Sequence, residues 1–172
     1  MKNVLLILQS VLLLTLGAAW LVDRQTTSAM PAAPTPRLSS DQVVEAQLAA
    51  LRRDNADGIR ECFAFASPAN RESVGPIEHF TQLVRGPAYA PLLGTTSGEV
   101  VSTQAESGVA RHLVRIVDRD GQTHHYLFAL TRQNSGEYRG CWMTESVQPL
   151  EPSTVTGETQ SDQPREAPLL QI

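Results

Sequence analysis

Residues 109–147 alternate apolar and polar side chains with a period of two, interrupted twice by turn residues. The alternation predicts antiparallel strands in a meander, because successive strand side chains point to opposite faces. The interruptions are Arg119-Asp120-Gly121 and Asn134-Ser135-Gly136. Each suits a type I turn followed by a left-handed glycine, the three-residue hairpin loop with a bulge. In the first hairpin this loop pairs Asp118 with Gln122, and therefore Ile116 with His124, Val114 with Tyr126 and His112 with Phe128. In the second it pairs Gln133 with Glu137, setting Phe128 opposite Trp142 and Tyr126 opposite Thr144. One face then gathers His112, Val114, Ile116, Tyr126, Phe128, Leu130 and Trp142, the predicted core face. The other carries Arg111, Arg115, His125, Thr131, Arg139 and Glu145 around Leu113, Leu127 and Met143. A two-residue loop in the first hairpin would slip the pairing by one and mix arginines with aromatics, which burial disfavours.

Upstream the period changes to that of a helix. Ser39 and Gln42 have capping-box spacing, and Asp41 suits a first helical turn. Val44, Leu48 and Leu51 recur at i, i+4 and i+7, with Val43 and Ala50 widening the stripe. Arg52 and Arg53 close this helix before Asp54-Asn55. A second helix is predicted over residues 57–66, burying Ile59, Cys62, Phe63 and Ala66, with Ser67-Pro68 as its end. A third opens at Pro76 and stops at Gly86-Pro87, burying Ile77, Phe80, Leu83 and Val84. Residues 89–93 form a short apolar connector, and residues 99–105 a first strand leading into the meander. Helices first, then an antiparallel sheet, is an α+β layout with the helices on one face of the sheet.

Residues 4–22 are almost wholly apolar, interrupted only by Gln9, Ser10 and Thr15. As a helix the run rises about 28 Å, near the thickness of a bilayer's hydrocarbon core. Lys2 precedes it, and Asp23 and Arg24 stop it. Cleavage near Thr27-Ser28-Ala29 would give a secreted or periplasmic protein. The length of the run and its abrupt charged end favour an uncleaved signal anchor. The expectation is a single-pass membrane protein with its domain on the non-cytoplasmic side. The organisation is then a membrane-spanning helix over 1–24, a Pro/Ala/Thr-rich linker over 25–38, an α+β domain over 39–148, and a polar, proline-rich disordered tail over 149–172.

Four short elements occur in order within the helical block: QLAAL at 47–51, FASP at 65–68, GPIEHF at 75–80 and YAPL at 89–92. Together they resemble the helical half of an uncharacterised domain-of-unknown-function family, and the resemblance extends over roughly residues 39–148. It implies a fold like the nuclear-transport-factor-2 and cystatin-like cone, in which helices cover a curved sheet. It implies no activity and no catalytic residues.

Composition narrows the chemistry. The chain has 172 residues, 41% of them hydrophobic, enough for one domain with tails. A formal net charge of −4 argues against nucleic acid as a partner. Two cysteines exclude a disulfide scaffold, and no zinc-ligand spacing is present, so no cofactor or metal is expected. Cone folds of the kind implied often enclose a pocket on the core face. His112, His124, Tyr126, Thr144 and Ser146 are the candidates to line it. A histidine there is a natural general base, with a helix carboxylate such as Glu45 or Glu78 as its partner. The plainer alternative, a core histidine bonded to a hydroxyl, is favoured. His124-His125 cannot chelate one ion, because adjacent strand residues face opposite ways. Cys62 under the helices and Cys141 on the outer face read as buried thiols rather than a bridge. Arg71 beside Glu72 reads as a solvated turn, and His79 beside Glu78 as a surface pair. The outer patch of Leu113, Leu127 and Met143, with no helix left to cover it, suits a homodimer interface. The first expectation is therefore a membrane-tethered, non-catalytic interaction domain. The alternatives are a small-ligand-binding cone and an isomerase- or dehydratase-like enzyme using a pocket histidine.

Overall fold

The structure, a computed structural model, describes residues 32–150. The predicted membrane helix, the linker up to residue 31 and the tail from residue 151 lie outside the described residues. Among the described residues, no helix is long and apolar enough to cross a membrane.

Helix α1 (Ser40–Arg52) begins at the expected cap. Ser39 Oγ accepts from the Gln42 N–H while the Gln42 side chain accepts from the Ser39 N–H, so two otherwise orphaned donors are satisfied reciprocally. Its stripe of Val43, Val44, Leu48 and Leu51 is buried. The chain reverses through Asp54 into α2 (Ala56–Ala64), capped by Asn55. Gly58 lets the two helices touch, since a Cβ there would lie 2.1 Å from the Ala50 carbonyl oxygen. Ser67-Pro68, expected only to end the second helix, opens a further one, α3 (Pro68–Val74), with Ser67 Oγ accepting from the Asn70 N–H. Proline lacks an N–H that the first helical position does not use, so one dipeptide stops a helix and starts the next. Then come α4 (Ile77–Arg85) and a single 3-10 turn at Ala90–Leu92. Leu83, expected in the core, is 43% exposed; Val84 is the buried residue of α4.

The strands β1 (Ser97–Glu106), β2 (Val109–Val117), β3 (Thr123–Arg132) and β4 (Trp142–Leu150) form one antiparallel sheet in chain order. The helices pack against it, and the class is α+β. The β2–β3 register is the expected one, with His112 opposite Phe128, Val114 opposite Tyr126 and Ile116 opposite His124. These six residues, with Leu130, are buried except for His124.

The second hairpin differs. Phe128 lies opposite Val147, Leu130 opposite Thr144 and Arg132 opposite Trp142. Gly136 does not close this loop. Instead the Gly140 N–H donates to the Gln133 carbonyl at 2.7 Å, and the Gln133 N–H donates to the Cys141 carbonyl at 2.9 Å. A second left-handed glycine, Gly140 with φ 85°, completes the reversal. A register shift where Ala129 faces Ser146 and Leu130 faces Thr144 leaves Glu145 as the unpaired bulge residue. Trp142 is consequently only partly buried at the end of the strand, and Met143 is fully buried. Residues 65–67 pair with the free edge of β4 at Thr144, whose N–H donates to the Phe65 carbonyl at 2.8 Å and whose carbonyl accepts from the Ser67 N–H at 2.9 Å. That contact pairs the edge at Thr144 and leaves less of it to template another strand.

Candidate functional site

Gln47 sits on the apolar stripe of α1, between Val44 and Leu51, and is 3% exposed. A polar side chain there must find partners. Its amide nitrogen donates to the Cys62 carbonyl on α2 at 3.2 Å, and its amide oxygen accepts from Thr144 Oγ1 on β4 at 2.7 Å. These bonds tie α1, α2 and β4 together at the floor of a cleft of about 260 Å³ between the helices and β4. Leu51, Phe80, Leu83, Val84 and Phe128 supply apolar wall; Asn70, Thr144, Glu145 and Ser146 supply a polar end. Tyr89 closes one side, its hydroxyl donating to the Val147 carbonyl at 2.9 Å.

Among the described residues that line this cleft, Glu145 is the one carboxylate and none is basic. Glu145 Oε2 accepts from Ser67 Oγ at 2.7 Å, and Oε1 accepts from Thr131 Oγ1 and from the Gln133 amide at 3.3 Å. The bonds to Thr131 and Gln133 hold its carboxylate on the outer side of the sheet, the face on which Glu145 was expected, while the bulge lets Thr144 and Val147 on either side face the core. Cys62 also lines the cleft, but burial pushes its thiol up to about 12, against a smaller opposing effect of the Gln47 hydrogen bond. It is therefore a neutral thiol at physiological pH, not a nucleophile.

Of the residues expected to line a pocket, Thr144 and Ser146 do so; His112, His124 and Tyr126 do not. His112 is fully buried, its Nδ1 lying 3.0 Å from Thr103 Oγ1 and 3.4 Å from Asp41 Oδ1. Thr103 spends its hydroxyl proton on Asp41 at 2.8 Å, so its oxygen accepts from His112 Nδ1–H. His112 Nε2 is left buried without a partner. Burial holds the His112 pKa below the ordinary histidine value, outweighing the pull of Asp41. The carboxylate beside it comes from the first turn of α1, not from Glu45 or Glu78. His124 Nε2 lies 2.7 Å from Asp118 Oδ2 at the hairpin turn. That contact is the main cause holding the Asp118 carboxyl below its ordinary value. The buried Tyr126 hydroxyl donates to the Ala88 carbonyl at 2.9 Å, and burial pushes it up to about 12.

Arg71, expected in a solvated turn, lies on α3 with its guanidinium against two rings, 5.7 Å from the Phe63 centroid and 5.2 Å from that of Tyr138. It donates to the Ala64 carbonyl at 2.6 Å and to the Tyr138 hydroxyl at 3.2 Å. On the outer face Leu113 pairs with Leu127 and both are half-buried, but Met143 is withdrawn from the expected patch by its burial. Cys62 and Cys141 are unbridged, Cys62 within the core cluster and Cys141 buried outside it. Among the described residues, no group of three or more His, Cys, Asp or Glu could hold a metal ion.

Helices over one face of a four-stranded meander, with a cleft beneath them, define a small α+β domain with an internal groove. Residues 37–156 match the family described as Domain of unknown function (DUF4864), and the chain belongs to that family. Neither a curated protein nor a solved structure matches it.

Gln47 and Asn70 are the site residues that pattern reading missed. The one signal for them in the chain is Gln47, a polar side chain on an otherwise apolar helical stripe.

Proposed function

We propose that the protein is a membrane-tethered, non-catalytic binding domain whose ligand occupies the cleft between the helices and β4. The observation that carries this reading is the cleft itself, with apolar walls and a polar end fixed by hydrogen bonds. Mostly apolar concavities with a few positioned polar groups are the usual form of a small-molecule site. A non-catalytic role is supported by where the proton-transfer groups lie. His112 is sealed under α1, His124 stands at a turn, and Cys62 is held neutral. Helices layered over a meander also support the cone-like fold that the family resemblance implies. The apolar run at 4–22 supports the tether, with the domain on the non-cytoplasmic side.

Native mass spectrometry of the full chain extracted from its membrane tests the reading. A small-molecule adduct is expected, and it should vanish in Val147→Phe, which puts a larger side chain beside Phe128 in the cleft. A bare wild-type mass, or an adduct indifferent to Val147→Phe, would contradict it. Resistance of the chain to alkaline extraction checks the tether. A second reading, self-association through the outer face, rests on Leu113 opposite Leu127. It predicts a dimer in sedimentation that Leu127→Lys dissociates.

A further inference from the structure

We infer that the cleft takes one unbranched hydrocarbon chain of about eight to ten carbons, the tail of a single-chain amphiphile whose head stays in solvent. The inference rests on the cleft being the binding site and adds what fills it. Its own ground is that the polar groups of the wall are bonded to one another. Gln47 donates to the Cys62 carbonyl and accepts from Thr144 Oγ1. Asn70 Nδ2 donates to the Thr144 carbonyl at 3.0 Å, and the Tyr89 hydroxyl donates to the Val147 carbonyl. Among the described residues, the buried side-chain atoms without a partner are Asp54 Oδ1, Arg71 Nε and His112 Nε2, and none of these residues lines the cleft. The one charged residue of the lining, Glu145, has its carboxylate held on the outer side of the sheet by Thr131 and Gln133. A charged group carried into the cleft would lose its water and meet no counter-charge. A peptide would bring backbone N–H and C=O groups that the bonded wall does not satisfy.

What the cleft offers a ligand is apolar surface. Leu51, Val84, Leu92 and Phe128 are buried in its wall, and Phe80 and Val147 are only partly buried. Leu83 lines the same wall at 43% exposure, although the period of α4 marks it for the core. A hydrocarbon laid against these side chains removes apolar area from water on both partners. The volume of about 260 Å³ sets the length of the chain. At about 30 Å³ for a group the size of a water molecule, it holds about eight to ten carbons, which is one chain and not two. Ser73, also on the lining, is exposed, so its hydroxyl meets a head in solvent rather than a tail inside.

The test is an NMR titration of the full chain in a lipid nanodisc, with isotope-labelled leucine and valine methyls, against the linear alcohols from butan-1-ol to dodecan-1-ol. Shifts of Leu83, Val84 and Val147 report occupancy at known free concentration of each alcohol. Affinity is expected to rise about three- to fourfold per added methylene and to level off near nine carbons. Octan-1-ol, octanoate and octylammonium are expected to bind within about threefold of one another, because the head is outside. Val147→Phe should lower octan-1-ol affinity about tenfold or more, and Leu83→Asn, at an exposed position, about three- to tenfold. A preference above about tenfold for one head, or an affinity flat across the alcohols, overturns the hydrocarbon assignment while leaving the cleft as a binding site. If no probe shifts these methyls in a manner sensitive to Val147→Phe or Leu83→Asn, both the assignment and the cleft reading fail. Should Val147→Phe not fold, Leu83→Asn and the length series on the wild-type chain decide.

Discussion

Between β2 and β3 the chain reverses tightly: Asp118 folds its carboxylate over the turn, accepting from the Asp120 and Gln122 N–H groups, and Gly121 takes φ 79°. Between β3 and β4 it spends residues 133–141 on the same task and uses two left-handed glycines, Gly136 and Gly140. The residue before the turn separates the two. Asp118 is short enough to bond the turn's own amides, whereas Gln133 reaches outward to Thr131 and Glu145. A local side-chain bond selects the short closure, and without it tertiary contacts choose the length. The longer loop carries Tyr138 to Arg71, and its register puts the bulge at Glu145. The tight hairpin is closed by its own local bonds, and the loose one is held by its docking on Arg71.

The largest effect that separates the two closures is in the core. Phe128 is 1% exposed and opposite Val147, so Phe128→Ala should cost about 3–5 kcal/mol in denaturant unfolding. Trp142 is only partly buried opposite Arg132, and Trp142→Ala should cost about 1–3 kcal/mol. Had the second hairpin closed at Gly136, Trp142 would face Phe128 and the two losses would match. Equal destabilisation would therefore refute the long loop.

Next in size is the contact that only the long loop makes. Arg71 lies against the Tyr138 ring and donates to its hydroxyl. A double-mutant cycle on Arg71→Met and Tyr138→Leu should give a coupling of about 1–2 kcal/mol. A coupling near zero would mean that the loop does not dock on α3.

The same contrast explains what could be read from the chain alone. Helix α1 was legible in cap, stripe and stop, because its signals are local and agree with one another. So was the β2–β3 register, since an Asx turn and alternation of faces point the same way. Helix α3 was not, because Ser-Pro is both a stop and a start and the spacing does not choose. The β4 register was hidden for a different reason. Asn134-Ser135-Gly136 is a valid tight turn, and only the pairing of Gln133 with Gly140 and Cys141, a non-local outcome, overrides it. Of the candidate site, Thr144 and Ser146 were legible as strand residues near the helices. Val147 as the residue facing Phe128 was not, because a bulge breaks the alternation on which facing arguments depend.

A smaller difference lies in the glycines. Gly121 has open space around it, so Gly121→Ala meets only the strain of a positive φ, about 1 kcal/mol. Gly140→Ala adds a Cβ that would lie 3.3 Å from the Pro36 Cβ, and should cost a few tenths more. Thermal midpoints of the two variants should fall in that order. The reverse order would mean that residue 36 does not rest on the long loop.

The last difference vanishes above neutral pH. The tight hairpin contains His112, whose surroundings are Asp41 on α1 and Thr103 on β1, and whose Nε2 has no partner. Its folded-state pKa lies below 6.5, chiefly through burial. Well above pH 6.5 the imidazole is neutral in both folded and unfolded chains and contributes no pH dependence. As the pH falls below 6.5 the unfolded chain takes up a proton that the fold refuses, so stability drops, at most about 1.4 kcal/mol per pH unit. The drop ends once the pH passes the depressed folded value. Asp118 acts in a separate window: its lowered carboxyl loses stability only as the pH falls below 3.8. Urea midpoints measured from pH 8 to pH 5 should therefore decline for the wild-type chain, and His112→Leu should flatten the decline in that range. A slope that survives His112→Leu would place the acid sensitivity outside the tight hairpin.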